Sequence, residues 1–88
     1  MITVYWNNPE ENIIRLDYAD PVATWDEYDN AVKQWHNMIR SKSGVVHTIH
    51  NPGSAKMPNG NAFMHVRRAI MNTPRNSGLI VMVAVRAY

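Results

Sequence analysis

Cysteine is absent from this 88-residue chain, and so are long apolar runs. The first absence excludes disulfide bonds and thiolate metal sites. The longest apolar run, residues 79–85, is far shorter than the roughly 20 residues that a membrane-spanning helix needs. The chain does not open on a basic segment followed by an apolar one, so no signal peptide is predicted. We therefore expect one soluble, cytoplasmic domain over residues 1–88, with no membrane association.

Acidic residues are missing after residue 29, because all seven lie in the first third of the chain. Eight of the nine Lys and Arg residues and all four histidines follow that point. Such segregation is one of the patterns seen in proteins that bind nucleic acid or another polyanion. The alternative is that the two oppositely charged halves face each other within the fold or across a dimer. We favour this alternative, because basic clusters on small domains are often solvated surface.

The first half of the sequence predicts a hairpin followed by a helix. Residues 2–6 and 13–18 alternate and are rich in β-branched and aromatic residues, and the polar segment between them is typical of a turn. Thr24 predicts a helix N-cap, with the Glu27 side chain reaching back to it. Apolar residues then recur every three or four positions, which indicates a buried helix face: Trp25, Tyr28, Val32, Trp35 and Ile39.

The second half predicts a strand, a helix and a last strand. Residues 45–50 are β-branched and form the third strand, and a loop over residues 51–60 precedes a second helical pattern. Residues 79–85 are apolar without interruption, which is typical of a strand buried on both faces. We expect the second helix to turn five residues inward: Ala62, Phe63, Val66, Ala69 and Ile70.

These elements predict an α+β fold in the order β-β-α-β-α-β. Each strand-helix-strand unit should cross over in the right-handed sense. Both helices would then lie on one face of a four-stranded mixed sheet, which makes a two-layer sandwich.

Several short motifs resemble the STAS fold (the SpoIIAA-like fold) of anti-sigma-factor antagonists, and more closely bacterial STAS-like proteins. The matching positions cover most of the chain: Trp6, the Thr24-Trp25-Asp26-Glu27-Tyr28 helix start, Pro58, Gly60, Arg67-Arg68-Ala69, Pro74, Asn76 and Gly78. The resemblance implies a regulatory protein with a phosphorylatable Ser or Thr, preceded by Asp, at the start of the second helix. This chain has Pro58-Asn59-Gly60 there, and Ser54 is the candidate replacement in the loop upstream.

The resemblance also implies a further helix, strand and helix after the fourth strand, so this chain is shortened at its C-terminus relative to the family. An apolar strand left at a sheet edge needs a cover, because its unpaired amides promote association. The simplest cover is a second copy in a twofold dimer. We therefore predict a homodimer, with four residues at its interface: Leu79, Val81, Val83 and Val85.

The candidate contact residues for a protein partner lie in the loop and on the second helix. They are Ser54, Lys56, Met64, His65, Arg67, Arg68 and Arg75. The pattern of histidines does not favour a metal site, because His47 and His50 are three positions apart in a strand and point to opposite faces. We predict no catalytic residue, no metal and no cofactor.

The leading hypothesis is a non-enzymatic, homodimeric interaction module with a regulatory or adaptor role and an unidentified protein partner. A second hypothesis is a nucleic-acid or polyanion binder that uses Lys56, Arg67, Arg68 and Arg75. A third is a small-ligand-binding or histidine-dependent enzyme domain.

Overall fold

Two helices and four strands follow one another in a computed structural model that describes residues 1–83. The elements are β1 (Ile2–Trp6), β2 (Ile13–Tyr18), α1 (Trp25–Arg40), β3 (Val46–Asn51), α2 (Ala62–Met71) and β4 (Ser77–Met82). The predicted α+β class and the order β-β-α-β-α-β are confirmed. The third strand begins and ends one residue later than predicted.

The four strands form one mixed sheet in the order β1-β2-β3-β4. β1 and β2 are antiparallel, with Ile2 opposite Tyr18 and Trp6 opposite Ile14. β2, β3 and β4 run parallel to one another. Since both crossovers step in the same direction across the sheet, their common handedness places α1 and α2 side by side on one face. The predicted mixed sheet with both helices on one face is confirmed.

Helix α1 begins at its predicted cap. The Thr24 hydroxyl accepts a hydrogen bond from the Glu27 backbone N–H at 3.1 Å. The Glu27 side chain does not complete a capping box, because its Oε1 lies 3.0 Å from the Met1 amino nitrogen instead. The inward face of α1 carries a row of buried residues: Tyr28, Ala31, Val32, Trp35, His36 and Ile39.

The core lies between α1 and the helix-facing side of β2 and β3. Trp35 and Ile39 of α1 are fully buried against Ile14 and Leu16 of β2 and Val46 of β3. These residues came from the most strongly periodic parts of the sequence, and their burial follows from that pattern.

Glycine is required where β4 begins. The ladder between β3 and β4 shifts register between Val46 and Thr48, next to Gly78. A Cβ on Gly78 would lie 2.6 Å from His47 Cε1 and 2.7 Å from Val45 Cγ1. The His47 ring is held in place because its Nδ1 accepts the Leu79 backbone N–H at 2.9 Å. The close approach of strand and ring therefore excludes a side chain.

The predicted inward face of α2 is wrong. Ala69 is its one buried residue, while Phe63 is 72% exposed and Val66 and Ile70 are exposed as well. Periodicity correctly grouped these residues on one side of the helix. That side does not contact the sheet closely, so the face is apolar without being buried.

The prediction that the last strand is buried on both faces is also wrong. β4 is an edge strand within residues 1–83, and every residue from Leu79 to Val83 is exposed. The rest of the predicted segment, including Val85, lies outside the described residues. No helix in the described range is long and apolar enough to cross a membrane.

Candidate functional site

The largest unusual feature of the exterior is an apolar surface at the β4 edge of the molecule. We use this name for eight side chains that are each between 39% and 72% exposed: Phe63, Val66 and Ile70 of α2, and Leu79, Ile80, Val81, Met82 and Val83 of β4 and its end. Isolated exposed apolar residues are ordinary, but grouped ones mark interaction surfaces or sites prone to aggregation.

Both faces of β4 contribute to the apolar surface. Ile80 is paired with Thr48, whose side chain is buried beneath α1, so Ile80 lies on the helix side of the sheet. Val81 is paired with Ile49 and lies on the opposite, open side. Of the predicted dimer-interface residues, Leu79, Val81 and Val83 are therefore exposed at one edge, whereas Val85 lies outside the described part.

The predicted contact residues do not form one cluster. Ser54 and Lys56 are exposed in the loop that follows β3. This loop is attached to the segment before α1, because Asp20 Oδ1 accepts the Lys56 N–H at 2.7 Å and the Lys56 carbonyl accepts the Val22 N–H at 2.9 Å. Arg75 lies beyond the other end of α2, just before β4 begins.

The remaining contact residues divide between two sides of α2. Met64 and Arg67 lie with Met71 along a shallow outer groove. His65 instead turns towards α1, and Arg68 borders both the outer groove and the space between the helices. The predicted basic cluster is therefore divided by the helix itself.

His65 forms the most specific contact between α1 and α2. Its ring stacks on the Trp25 indole with a centroid distance of 4.4 Å and an interplanar angle of 6°. Its Nδ1 lies 3.0 Å from Asp29 Oδ1, where the carboxylate accepts a hydrogen bond. The Trp25 indole N–H donates to the Asn59 carbonyl at 2.9 Å. Trp25 thus connects the start of α1 to both α2 and the loop before it.

Between α1 and α2 lies a cleft of about 240 Å³, which we call the interhelical cleft. Each helix lines it with four residues at positions i, i+3, i+4 and i+7, which fall on a single helical face. They are Asp29, Val32, Lys33 and His36 of α1, and His65, Arg68, Ala69 and Asn72 of α2. The cleft therefore has an apolar floor, Val32 and Ala69, beneath polar and charged walls.

Two buried histidines flank the Trp35 indole. His36 and His50 each lie with their ring centroids 4.7 Å from that of Trp35. Burial lowers the pKa of His50 to about 4. Burial and the nearby Arg40 charge also lower the pKa of His36, against the opposite effect of the Ala69 carbonyl. Both rings are therefore neutral at pH 7.

The segregated charges meet in only a few places. Lys42 Nζ lies 2.8 Å from Glu11 Oε1, and His65 pairs with Asp29, so two contacts join the acidic first third to the rest of the chain. Over residues 1–83, no ion pair involves the side chains of Lys33, Arg67 or Arg68. Nor do three His, Asp or Glu side chains in that range come together as a metal site would require.

The open side of the sheet carries a polar network around Asp17. Its carboxylate accepts hydrogen bonds from the Tyr5 hydroxyl, from Arg15 Nε at 2.8 Å and from Asn51 Nδ2 at 3.0 Å. Slight burial acts to raise the pKa of Asp17, but these three donors outweigh it and lower the pKa. The network satisfies its own charges, so it offers no reactive group.

Sequence reasoning missed the interhelical cleft. Asp29, Lys33 and His36 have the spacing of one helix face, which is a signal within α1 alone. Nothing in the sequence shows that this face meets the one formed by His65 and Arg68. That contact depends on the two helices lying side by side.

Comparisons with protein-family models, with curated proteins and with solved structures found no match for this chain. The apolar surface and the interhelical cleft are therefore the two features from which its function has to be inferred.

Proposed function

We propose that this chain is a non-enzymatic, cytoplasmic interaction module that forms a homodimer through its apolar surface. The exposure of eight grouped apolar side chains at the β4 edge is the observation that supports the proposal. Burying one Val, Leu, Ile, Phe or Met side chain contributes roughly 1.5–3 kcal/mol. Covering even part of this surface therefore provides a strong driving force for association.

A second copy of the chain is the cover that β4 suits best. β4 has the sequence Ser77-Gly78-Leu79-Ile80-Val81-Met82 and contains no charged residue. Among the described strands it is hydrogen-bonded to β3 alone, so one edge has unpaired main-chain groups. An antiparallel pair of β4 strands across a twofold axis would satisfy these groups in both copies and bury the same side chains twice.

Nucleic-acid binding is less well supported than dimerisation. Lys56, Arg67 and Arg75 belong to a loop, the outer side of α2 and the segment before β4, respectively. These cations do not line one groove along which a phosphate backbone could run. The STAS-like architecture and a regulatory partner that contacts the loop around Ser54 remain parts of the proposal.

The test is the oligomeric state of the purified chain, measured by size-exclusion chromatography with light scattering at micromolar concentration. We expect a mass twice the 10.1 kDa of one chain. Met82→Lys and Val81→Lys should each weaken the dimer, because a charge on either face of an edge strand opposes its pairing. Met57→Lys is the matched control, since Met57 is also exposed but lies in the loop.

A monomeric wild-type chain would overturn the homodimer, and so would variants at Val81 and Met82 that dimerise like the Met57 control. A dimer that is lost equally in all three variants would also contradict the proposal. Circular dichroism of each variant confirms that the fold is intact before the masses are compared.

A further inference from the structure

The interhelical cleft carries an excess of positive charge that the fold does not use. Lys33 on α1 and Arg68 on α2 line its two walls. Within the part of the chain that the structure describes, neither side chain takes part in an ion pair or a hydrogen bond. Asp29, the one carboxylate of the cleft, is already engaged by His65. Two cations are therefore available to a ligand that enters from solvent.

His36 supplies a second, independent indication of a ligand. Its side chain lines the cleft and is only 5% exposed, yet its Nε2 has no hydrogen-bond partner of normal geometry within residues 1–83. A buried polar atom without a partner costs about 1–3 kcal/mol, so native structures contain few of them. A ligand atom that reached Nε2 would remove this cost.

The stacked contact of His65 keeps the cleft in shape. With its ring lying flat on Trp25 and its Nδ1 on Asp29, His65 fixes the distance between the two helices at one end. Asn72 lies at the other end of the α2 face, where its Nδ2 donates to the Arg68 carbonyl at 3.0 Å. The walls are therefore largely preformed, which reduces the entropy that a ligand would lose on binding.

We propose that the interhelical cleft binds a small molecule through a carboxylate or phosphate group, which lies between Lys33 and Arg68 and accepts a hydrogen bond from His36 Nε2. A guanidinium group forms two parallel hydrogen bonds with either oxyanion, and an ammonium group adds a point charge. The volume of about 240 Å³ is below the 300–1,000 Å³ typical of drug-sized ligands, so the molecule is small. This site is separate from the apolar surface and does not depend on the dimer.

The experiment is a pair of titrations followed by two-dimensional NMR, one with inorganic phosphate and one with acetate, each at constant ionic strength and pH 7. We expect saturable shifts of the Lys33, His36 and Arg68 signals with at least one of the two anions. Saturation by phosphate alone assigns the site to phosphorylated molecules, and saturation by acetate alone assigns it to carboxylates. If both saturate, the tighter of the two defines the class.

Arg68→Gln tests the site directly. Loss of a charge-assisted hydrogen bond of about 1.5–3 kcal/mol should raise the dissociation constant at least tenfold. Arg67→Gln is the matched control, because Arg67 is the neighbouring arginine on the outer side of α2 and does not line the cleft. It should leave the dissociation constant within twofold of that of the wild type.

The proposal is overturned if neither anion gives saturable shifts, or if Arg67→Gln weakens binding as much as Arg68→Gln does. The second result would mean that the anion responds to the general charge of α2 and not to the cleft. Both arginines are exposed, so neither substitution should prevent folding.

Discussion

The Trp35 indole illustrates how a single polar contact determines the arrangement of the core. Its N–H donates to the Thr48 hydroxyl at 2.8 Å, and both side chains are almost completely buried. The bond joins the middle of α1 to the middle of β3. An indole N–H in this position needs an acceptor, because water cannot reach it.

Thr48→Val should therefore destabilise the protein by about 1–3 kcal/mol, since it keeps the size of the side chain and leaves the indole N–H without a partner. Urea denaturation followed by circular dichroism measures this change. Thr3→Val is the matched control, because Thr3 is an exposed strand residue and its replacement should change the free energy of unfolding by less than about 0.5 kcal/mol. Equal effects of the two substitutions would show that the indole bond contributes nothing.

Sequence patterns identified Trp35 as a core residue but not the polar groups around it. The apolar stripe of α1 includes Trp35, while Thr48, His36 and His50 belong to patterns that equally fit a surface. The polar residues are buried because their hydrogen bonds and ring contacts form only in the folded chain. Residue-scale prediction therefore succeeded for apolar groups and failed for polar ones.

Helices α1 and α2 differ in how they are held. α1 is capped by Thr24 and buries six residues, whereas α2 buries Ala69 alone. Most of the stability of a protein helix comes from the burial of its apolar face, and ten isolated residues are marginal in water. The stability of α2 therefore depends on its contacts with α1 and on whatever covers its exposed side.

Native-state hydrogen exchange should show α2 opening before α1. We expect the amides of α1 to be protected to nearly the full free energy of unfolding, and those of α2 to exchange through a smaller opening. The measurement is made at a protein concentration where light scattering reports monomers. Protection of α2 as high as that of α1 would contradict the expectation, because a single buried residue could not account for it.

The same difference explains where element-scale prediction failed. Phe63, Val66 and Ile70 fall on one side of α2, and periodicity showed this correctly. What that side contacts is set by the position of the helix over the sheet and by association, neither of which is a property of the local sequence. The apolar run at β4 misled for the same reason, since an exposed interface strand and a buried strand have the same composition. The STAS-like resemblance stays a prediction.

At the scale of the whole molecule, stability should depend on pH through His50. Because burial holds the pKa of His50 at about 4, below its ordinary value of 6.5, the unfolded chain binds a proton more readily than the folded one between these values. Stability is therefore complete above pH 6.5 and decreases as the pH falls towards 4. A shift of this size corresponds to a loss of up to about 3 kcal/mol.

Urea denaturation at a series of pH values from 7 to about 4 checks this expectation. His50→Gln should flatten the slope over that range relative to the wild type, whatever its effect on stability at pH 7. His47→Gln, which alters a half-buried ring on the open side of the sheet, should keep the slope. Identical slopes in wild type and His50→Gln would show that another group is responsible.

The spatial order of the four strands also determines how the chain can assemble. Each strand lies beside the one that precedes it in sequence, so every pairing can add to one already made. The hairpin of β1 and β2 closes over a short turn, whereas the partners Ile13 and His47, and later Thr48 and Ile80, are separated by more than thirty residues. Loop-closure entropy therefore favours the hairpin first and makes the two parallel additions slower. β4 can detach without breaking the pairs among the other three strands, so it is the one element that could be exchanged between chains while the rest of the sheet persists.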